Sequence, residues 1–228
     1  MDWRAAQGDP LRGIALFAGL EPRTRRRLAA TAIARTYREG DVLFSEGDPG
    51  DALIVLRTGA VAVFRCGPSG DRAVLTLVRA PGVLGEVALL DGAPRSASVE
   101  AVAPTEALAL SRPAFLELVH TDHRLLDEVF GALGGMVRRL TEQKTDYIFL
   151  DLPGRVAKTL VRLLDIDDAD DTVNLSQSRV AELVGGSRQS VNQVIRTFAH
   201  RGWLRTEGRC IVLTDLAALR HRAGLGGD

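Results

Sequence analysis

The chain has little with which to cross-link itself. Its only two cysteines, Cys66 and Cys210, lie far apart and form no CxxC pair. This argues against a disulfide framework and against a structural zinc or iron–sulfur site. It fits two free thiols in a reducing compartment. No run of about 18 apolar residues occurs, so no transmembrane helix is expected. Met1-Asp2-Trp3-Arg4 offers no signal-peptide core, and the expected location is cytoplasmic, with no membrane partner. Net charge is also missing, since 29 Lys+Arg balance 29 Asp+Glu. The overall basic bias common in nucleic-acid binders is therefore absent. Lysine is confined to Lys144 and Lys158, a bias that reflects genomic base composition rather than function. Neither a nucleophile–base pair nor a metal-ligating constellation stands out, so no enzyme and no metal cofactor are expected.

What remains is ordinary globular composition: 228 residues, 46% hydrophobic and 25% charged. That length suits one large domain or two small ones. The charge is unevenly spread. Between Asp171 and Arg222 there are eight Arg against four Asp or Glu, a local excess that suits a phosphate-facing surface.

Three textures follow one another. Residues 22–35 read as a helix. From about 36 to 111, short β-branched runs alternate with turn residues. Val42-Leu43-Phe44, Ala52 to Leu56, Ala60 to Phe64 and Ala73 to Leu77 read as strands, with breaks such as Gly47-Asp48-Pro49-Gly50 and Pro81-Gly82. Many short strands at near-regular spacing indicate an antiparallel barrel or jelly roll. A long helical pattern then runs from about Arg112 to Leu150. Leu126, Val129, Leu133, Met136, Leu140, Gln143 and Tyr147 recur at intervals of three and four, the seam of a dimerisation helix. Gly131, Gly134 and Gly135 interrupt it, which suggests close approach of a partner helix.

Asp151-Leu152-Pro153-Gly154 breaks the pattern and marks a hinge, with Asp151 able to cap a helix over Arg155 to Leu164. Asp165 to Asp171 is an acidic loop whose spacing does not match an EF-hand.

Within the strand-rich part, Gly85-Glu86-Val87-Ala88 opens a short helix, and Arg95-Ser96 returns about ten residues later. Free backbone amides plus an arginine fork suit a small anionic ligand such as a sugar phosphate. Further on, Leu175 to Val184 has helical spacing with Ser176 as N-cap. Gly185-Gly186 makes a turn, and Ser187 caps a second helix from Arg188 to about Ala199. Two short helices joined by a glycine turn form a helix-turn-helix. The second presents Arg188, Gln189, Asn192 and Gln193, side chains that match base edges. A hairpin follows, with Arg205 and Arg209 placed, like Ser176 and Ser187, to meet phosphates.

Taken together, these motifs resemble the cyclic AMP receptor protein / FNR family of bacterial transcription regulators over nearly the whole chain. Gly40 to Asp51 and Gly59-Ala60-Val61 match the early strands, Gly85 to Val99 the phosphate-binding cassette, and Phe149 to Ala157 the hinge. Leu183 to Arg188 and Ala199 to Leu204 match the winged helix. The resemblance implies an α+β fold in three parts. Residues 1–111 would be a cyclic-nucleotide-binding β-roll, a double-stranded jelly-roll barrel. Residues 112–150 would be the long dimerisation helix, and 151–228 a winged helix-turn-helix.

It implies a homodimeric transcription factor that binds palindromic DNA when a cyclic nucleotide is held as allosteric ligand, with RNA polymerase as a further partner. The nucleotide would be cyclic AMP or, alternatively, cyclic GMP. Gly85, Glu86, Val87 and Ala88 would surround the ribose phosphate, with Glu86 accepting the ribose 2′-hydroxyl. Arg95 would pair with the cyclic phosphate, helped by Ser96. The physical reading agrees, since a buried carboxylate beside a phosphate needs a hydroxyl donor and an arginine.

Leu140 and Thr141 occupy the positions that reach the base. Leu140 departs from the usual threonine and cannot hydrogen-bond a purine edge. Arg188 is retained in the reading helix, whereas Gln189 and Gln193 depart from the usual glutamate and basic residue, which implies an altered operator. The alternatives are the same fold with constitutive DNA binding and a repurposed pocket, and a regulatory subunit acting through protein contacts.

Overall fold

Apolar strands separated by tight turns build two four-stranded antiparallel sheets. The computed structural model describes the chain except residues 1–7, 69, 71, 168–170, 174, 209 and 226–228. The strands are β1 (Ile33–Tyr37), β2 (Val42–Phe44), β3 (Ala52–Thr58), β4 (Ala60–Cys66), β5 (Arg72–Arg79), β6 (Gly82–Leu84), β7 (Ser98–Ala101) and β8 (Thr105–Ser111). One sheet runs β1-β8-β3-β6 and the other β2-β7-β4-β5. The order shows the non-sequential neighbours of a roll. β8, the last strand of the roll, returns between β1 and β3 and pairs antiparallel with both.

β3 explains why this part folds as two layers. Successive side chains of a strand point to opposite faces. Ile54 and Leu56 join Val61, Leu84, Val99 and Ala107 inside the roll. Leu53 and Val55 turn to the other face and pack with Phe17, Phe115, Leu125 and Val129 from the surrounding helices. Both faces are covered, so the strand reads as a continuous apolar run rather than an alternating one. Burial of each such side chain contributes about 1.5–3 kcal/mol.

Three sequence expectations are corrected. The helix expected over 22–35 is α1, Pro22–Ala30; its continuation is β1. Pairing of Ile33 to Tyr37 with Ala109 to Thr105 outweighs the helical tendency of that stretch. The long pattern from Arg112 is two helices, α3 (Arg112–Thr121) and α4 (His123–Phe149). Asp122 between them is extended, and its carboxylate accepts from the Arg124 amide at 3.1 Å, starting a new helix. The third correction concerns the seam. Val129 is buried, and Leu126 and Leu133 pack against the same intradomain core, so this half of the seam faces its own domain. The exposed apolar side chains of α4 are instead Phe130, Val137, Leu140, Tyr147, Ile148 and Phe149. Gly131 faces open space.

A six-residue helix, α2 (Glu86–Asp91), lies between β6 and β7. The chain divides into two compact units, Met1–Cys66 with Leu75–Val137, and Gly67–Val74 with Arg138–Asp228. The second unit contains α5 (Leu152–Asp167), β9 (Thr172–Val173), α6 (Gln177–Val184), α7 (Arg188–His200), β10 (Leu204–Glu207), β11 (Cys210–Leu213) and α8 (Leu216–Arg222). Val156, Leu160, Val180, Val191, Ile195 and Phe198 form its core. The hairpin of β10 and β11 gains a third strand, β9, which the sequence did not reveal. Asp165 to Asp167, expected in the acidic loop, are instead the last residues of α5, and residues 168–170 of that loop lie outside the described residues. Both cysteines are free thiols.

Candidate ligand and nucleic-acid sites

The structure brings Gly85 and Arg95 together, with Glu86 near enough for its charge to act on Arg95. Gly85 caps α2 in the left-handed region, with φ +80. That conformation favours glycine, and so does the space: a Cβ there would lie 2.0 Å from Arg95 Nη1. The Arg95 side chain is almost wholly buried, with residue exposure of 5%. Its Nη1 donates to Gly85 O at 3.2 Å and its Nη2 to Ala52 O at 2.6 Å. Its guanidinium stacks over Phe44, 4.3 Å from the ring centroid. Its Nε is buried with no hydrogen-bond partner.

The backbone is pinned as well. Arg95 N donates to Asp48 O and Gly47 N donates to Arg95 O. Burial pulls the Arg95 pKa below the usual guanidinium value, while the fields of Asp51, Asp48 and Glu86 pull it back up. A charged guanidinium buried on neutral carbonyls, with one donor unpaired, has unspent capacity for an anion. Ser96 is exposed beside it, Glu86 and Val87 are half-buried, and Ala88 is buried. Phe44 and Ala52 were not legible as site residues, because one acts through its ring face and the other through a carbonyl. Leu140 and Thr141 lie on α4, in the second unit, and both are exposed.

The second unit carries the helix-turn-helix. Ser176 Oγ accepts from the Arg179 amide and Ser187 Oγ from the Ser190 amide, so both serines cap as expected. Gly185 ends α6 in the left-handed region, its amide donating to Ala181 O. The buried face of α7 is Val191, Val194, Ile195 and Phe198. Arg188, Gln189 and Gln193 are exposed and Asn192 is half-buried, its Oδ1 buried without a partner. Arg196, which the sequence reading passed over, is also exposed, three residues beyond Gln193 on this helix. On the hairpin, Arg205 is exposed and pairs with Glu207 at 2.8 Å. Arg209 lies outside the described residues.

This unit is tied to the end of α4. Tyr147 Oη donates to Val184 O at 3.2 Å, beside the glycine turn. Arg155 stacks over the Tyr147 ring. Lys158 pairs with Asp146, and Arg162 with Glu142. Tyr147, expected in a dimer seam, thus binds its own reading unit.

Asp151 caps α5, accepting from the Gly154 amide at 2.9 Å, and is gripped by Arg222 of α8 at 2.5 Å. The Arg222 bond, then the Gly154 amide, hold its carboxyl below the usual 3.8. Its folded pKa lies below the unfolded one. The stability it adds is therefore complete above about pH 4 and lost as pH falls through the depressed value. The contribution is modest, because the carboxylate is well exposed. Asp151→Asn is expected to flatten this acid limb of a stability profile taken by urea unfolding at a series of pH values. Superimposable limbs would remove Asp151 from the acid response.

A buried, anion-ready arginine in a β-roll and a capped helix-turn-helix with a wing define a ligand-sensing DNA-binding class. Comparison with known proteins agrees. Residues 34–122 match the cyclic nucleotide-binding domain and residues 154–222 the Crp-like helix-turn-helix domain. The chain belongs to the CRP family of transcription regulators, which are not enzymes. It is 32% identical over 214 residues to the CRP-like cAMP-activated global transcriptional regulator of Mycobacterium tuberculosis, covering 91% of this chain and 96% of that one. It is 30% identical over 213 residues to the cyclic AMP receptor protein of Thermus thermophilus, covering 93% and 98%. A crystal structure of a CRP family transcriptional regulator from Thermus thermophilus superposes with a TM-score of 0.73 at 27% identity, covering 83% of this chain and 96% of that one. Among the described residues, no helix is long and apolar enough to cross a membrane.

Proposed function

We propose that this chain is a cytoplasmic, homodimeric transcription factor that binds palindromic DNA in response to cyclic AMP, with cyclic GMP as the alternative nucleotide. The observation that carries the reading is Arg95, a buried guanidinium with an unpaired Nε. In this reading it pairs with the cyclic phosphate, assisted by Ser96 and the amides of Gly85 to Ala88, while Glu86 accepts the ribose hydroxyl. Leu140 and Thr141 are the proposed base contacts. Residues 1–111 sense, 112–150 dimerise and 151–228 read DNA, and RNA polymerase is the proposed further partner.

Dimerisation is supported by Phe130, Val137, Leu140 and Ile148, each more than half exposed and spaced as a heptad-like stripe. On DNA, Arg188, Gln189, Asn192 and Gln193 meet base edges. Ser176, Ser187, Arg205 and Arg209 meet phosphates. The apolar Leu140 favours a second reading, DNA binding that needs no nucleotide.

Selection of bound DNA from a random pool, with and without cyclic AMP, tests this. The expected product is a palindrome with one guanine common to both half-sites, bound more tightly with nucleotide. Arg188→Ala is expected to relax specificity at that guanine by about 1–3 kcal/mol. A uniform loss across sequences would make Arg188 a phosphate contact instead. Equal enrichment without nucleotide would favour the second reading, and no enrichment of any sequence would end both.

A further inference from the structure

The helix that opens the ligand site is too short to hold itself in place. α2 has six residues, and isolated helices of that length are unstable in water. Its last carbonyls have no partner within the helix. One of them, Leu89 O, accepts a 2.6 Å bond from Arg112 Nε. Arg112 Nη2 also lies 3.3 Å from where a Cβ would sit on Gly92, the left-handed cap of α2. A cation at this end is favoured by the helix dipole, and its donor satisfies an orphan acceptor.

Arg112 is also the first residue of α3, and its own amide donates to Asp51 O at 2.7 Å. Asp51 is the carboxylate that most favours the charge on Arg95. The end of the cassette helix, the loop facing Arg95 and the start of α3 therefore meet at one side chain and its backbone.

We propose that Arg112 is a positioning residue that fixes α2 to α3 and passes ligand occupancy at Arg95 into α3. The proposal rests on the cyclic-nucleotide reading of this site. Leu89, fully buried in the core that contains Phe115, is a second attachment of α2. Burial of Ala88 and Leu89 sets which face of α2 points inward, but by itself ties α2 to no particular neighbour. The hydrogen bond from Arg112 ties the end of α2 directly to the start of α3. A ligand that draws on the amides at one end of α2 thereby acts on whatever grips the other. From α3 only Asp122 intervenes before α4.

The test uses the full chain with Arg112→Met, which keeps an apolar stem and removes every donor, and Arg112→Lys, which restores a cation. Three quantities are read: calorimetric affinity for cyclic AMP, the ratio of DNA affinities with and without saturating cyclic AMP, and amide exchange of residues 86–92 without nucleotide. Arg112→Met is expected to weaken nucleotide binding about tenfold, as for one lost charge-assisted bond. It should also lower the DNA ratio at saturation, leave ligand-free DNA affinity unchanged and speed exchange in α2. Arg112→Lys should recover part of each.

Unchanged exchange in Arg112→Met would overturn the anchoring. Faster exchange with an unchanged DNA ratio would overturn the relay. A wild-type chain that binds neither cyclic AMP nor cyclic GMP would overturn the ligand reading and the relay with it, with the exchange result still deciding the anchoring.

Discussion

Arg95→Ala is expected to abolish measurable cyclic-nucleotide binding and to lower the melting temperature of the ligand-free protein. The two effects have separate origins. Removing the guanidinium leaves a desolvated phosphate without its counter-charge, which costs about 2–5 kcal/mol, a loss of thirtyfold to several thousandfold. It also strips Ala52 O of its Arg95 donor, leaves Gly85 O with only the Leu89 amide, and uncovers the Phe44 ring. A buried carbonyl left without this donor, as Ala52 O would be, costs about 1–3 kcal/mol. Arg95→Lys keeps a charge but loses the fork, and is expected to retain more stability than affinity. Calorimetry with cyclic AMP and cyclic GMP, beside a thermal melt, reads both effects. Unaltered nucleotide affinity in Arg95→Ala would refute the assigned pocket.

The second large effect is expected at Gly185. Its φ of +66 is open to glycine at little cost. A Cβ there would stand 2.2 Å from Tyr147 Oη. Gly185→Ala therefore adds about 1–2 kcal/mol of backbone strain and expels the hydroxyl from Val184 O, worth about another 1 kcal/mol. Both act where α6 turns towards the reading helix, so DNA affinity should fall at least about tenfold. Gel shifts and thermal melts measure the two losses. Adding Tyr147→Ala removes the clash but not the strain, and should restore only part of each. Wild-type DNA affinity in Gly185→Ala would show that the turn does not set the presentation of α7.

What the sequence disclosed and what it hid divide along physical lines. Gly85 was legible because the left-handed cap of a helix is a local demand that favours glycine. Ser176, Ser187 and Asp151 were legible for the same reason, since a cap is decided within three residues. The first three residues of β1, Ile33 to Arg35, were read as helix because the strand's pairing partner, β8, comes about seventy residues later. The seam on α4 was half misread because periodicity shows that a face is apolar and not what covers it. Leu126 and Leu133 found their own domain, while Phe130 and Val137 stayed outside. Phe44, Arg112 and Arg222 were invisible as site or hinge residues, because their roles arise only when distant segments meet.

The fold itself holds Arg95 in one orientation, fixed by two carbonyls and an aromatic ring. Immobilising a long side chain ordinarily costs about 0.5–1.5 kcal/mol at the moment of association. Here that entropy is surrendered during folding, so the anion proposed for this site would meet a rigid receptor and keep more of its attraction as affinity.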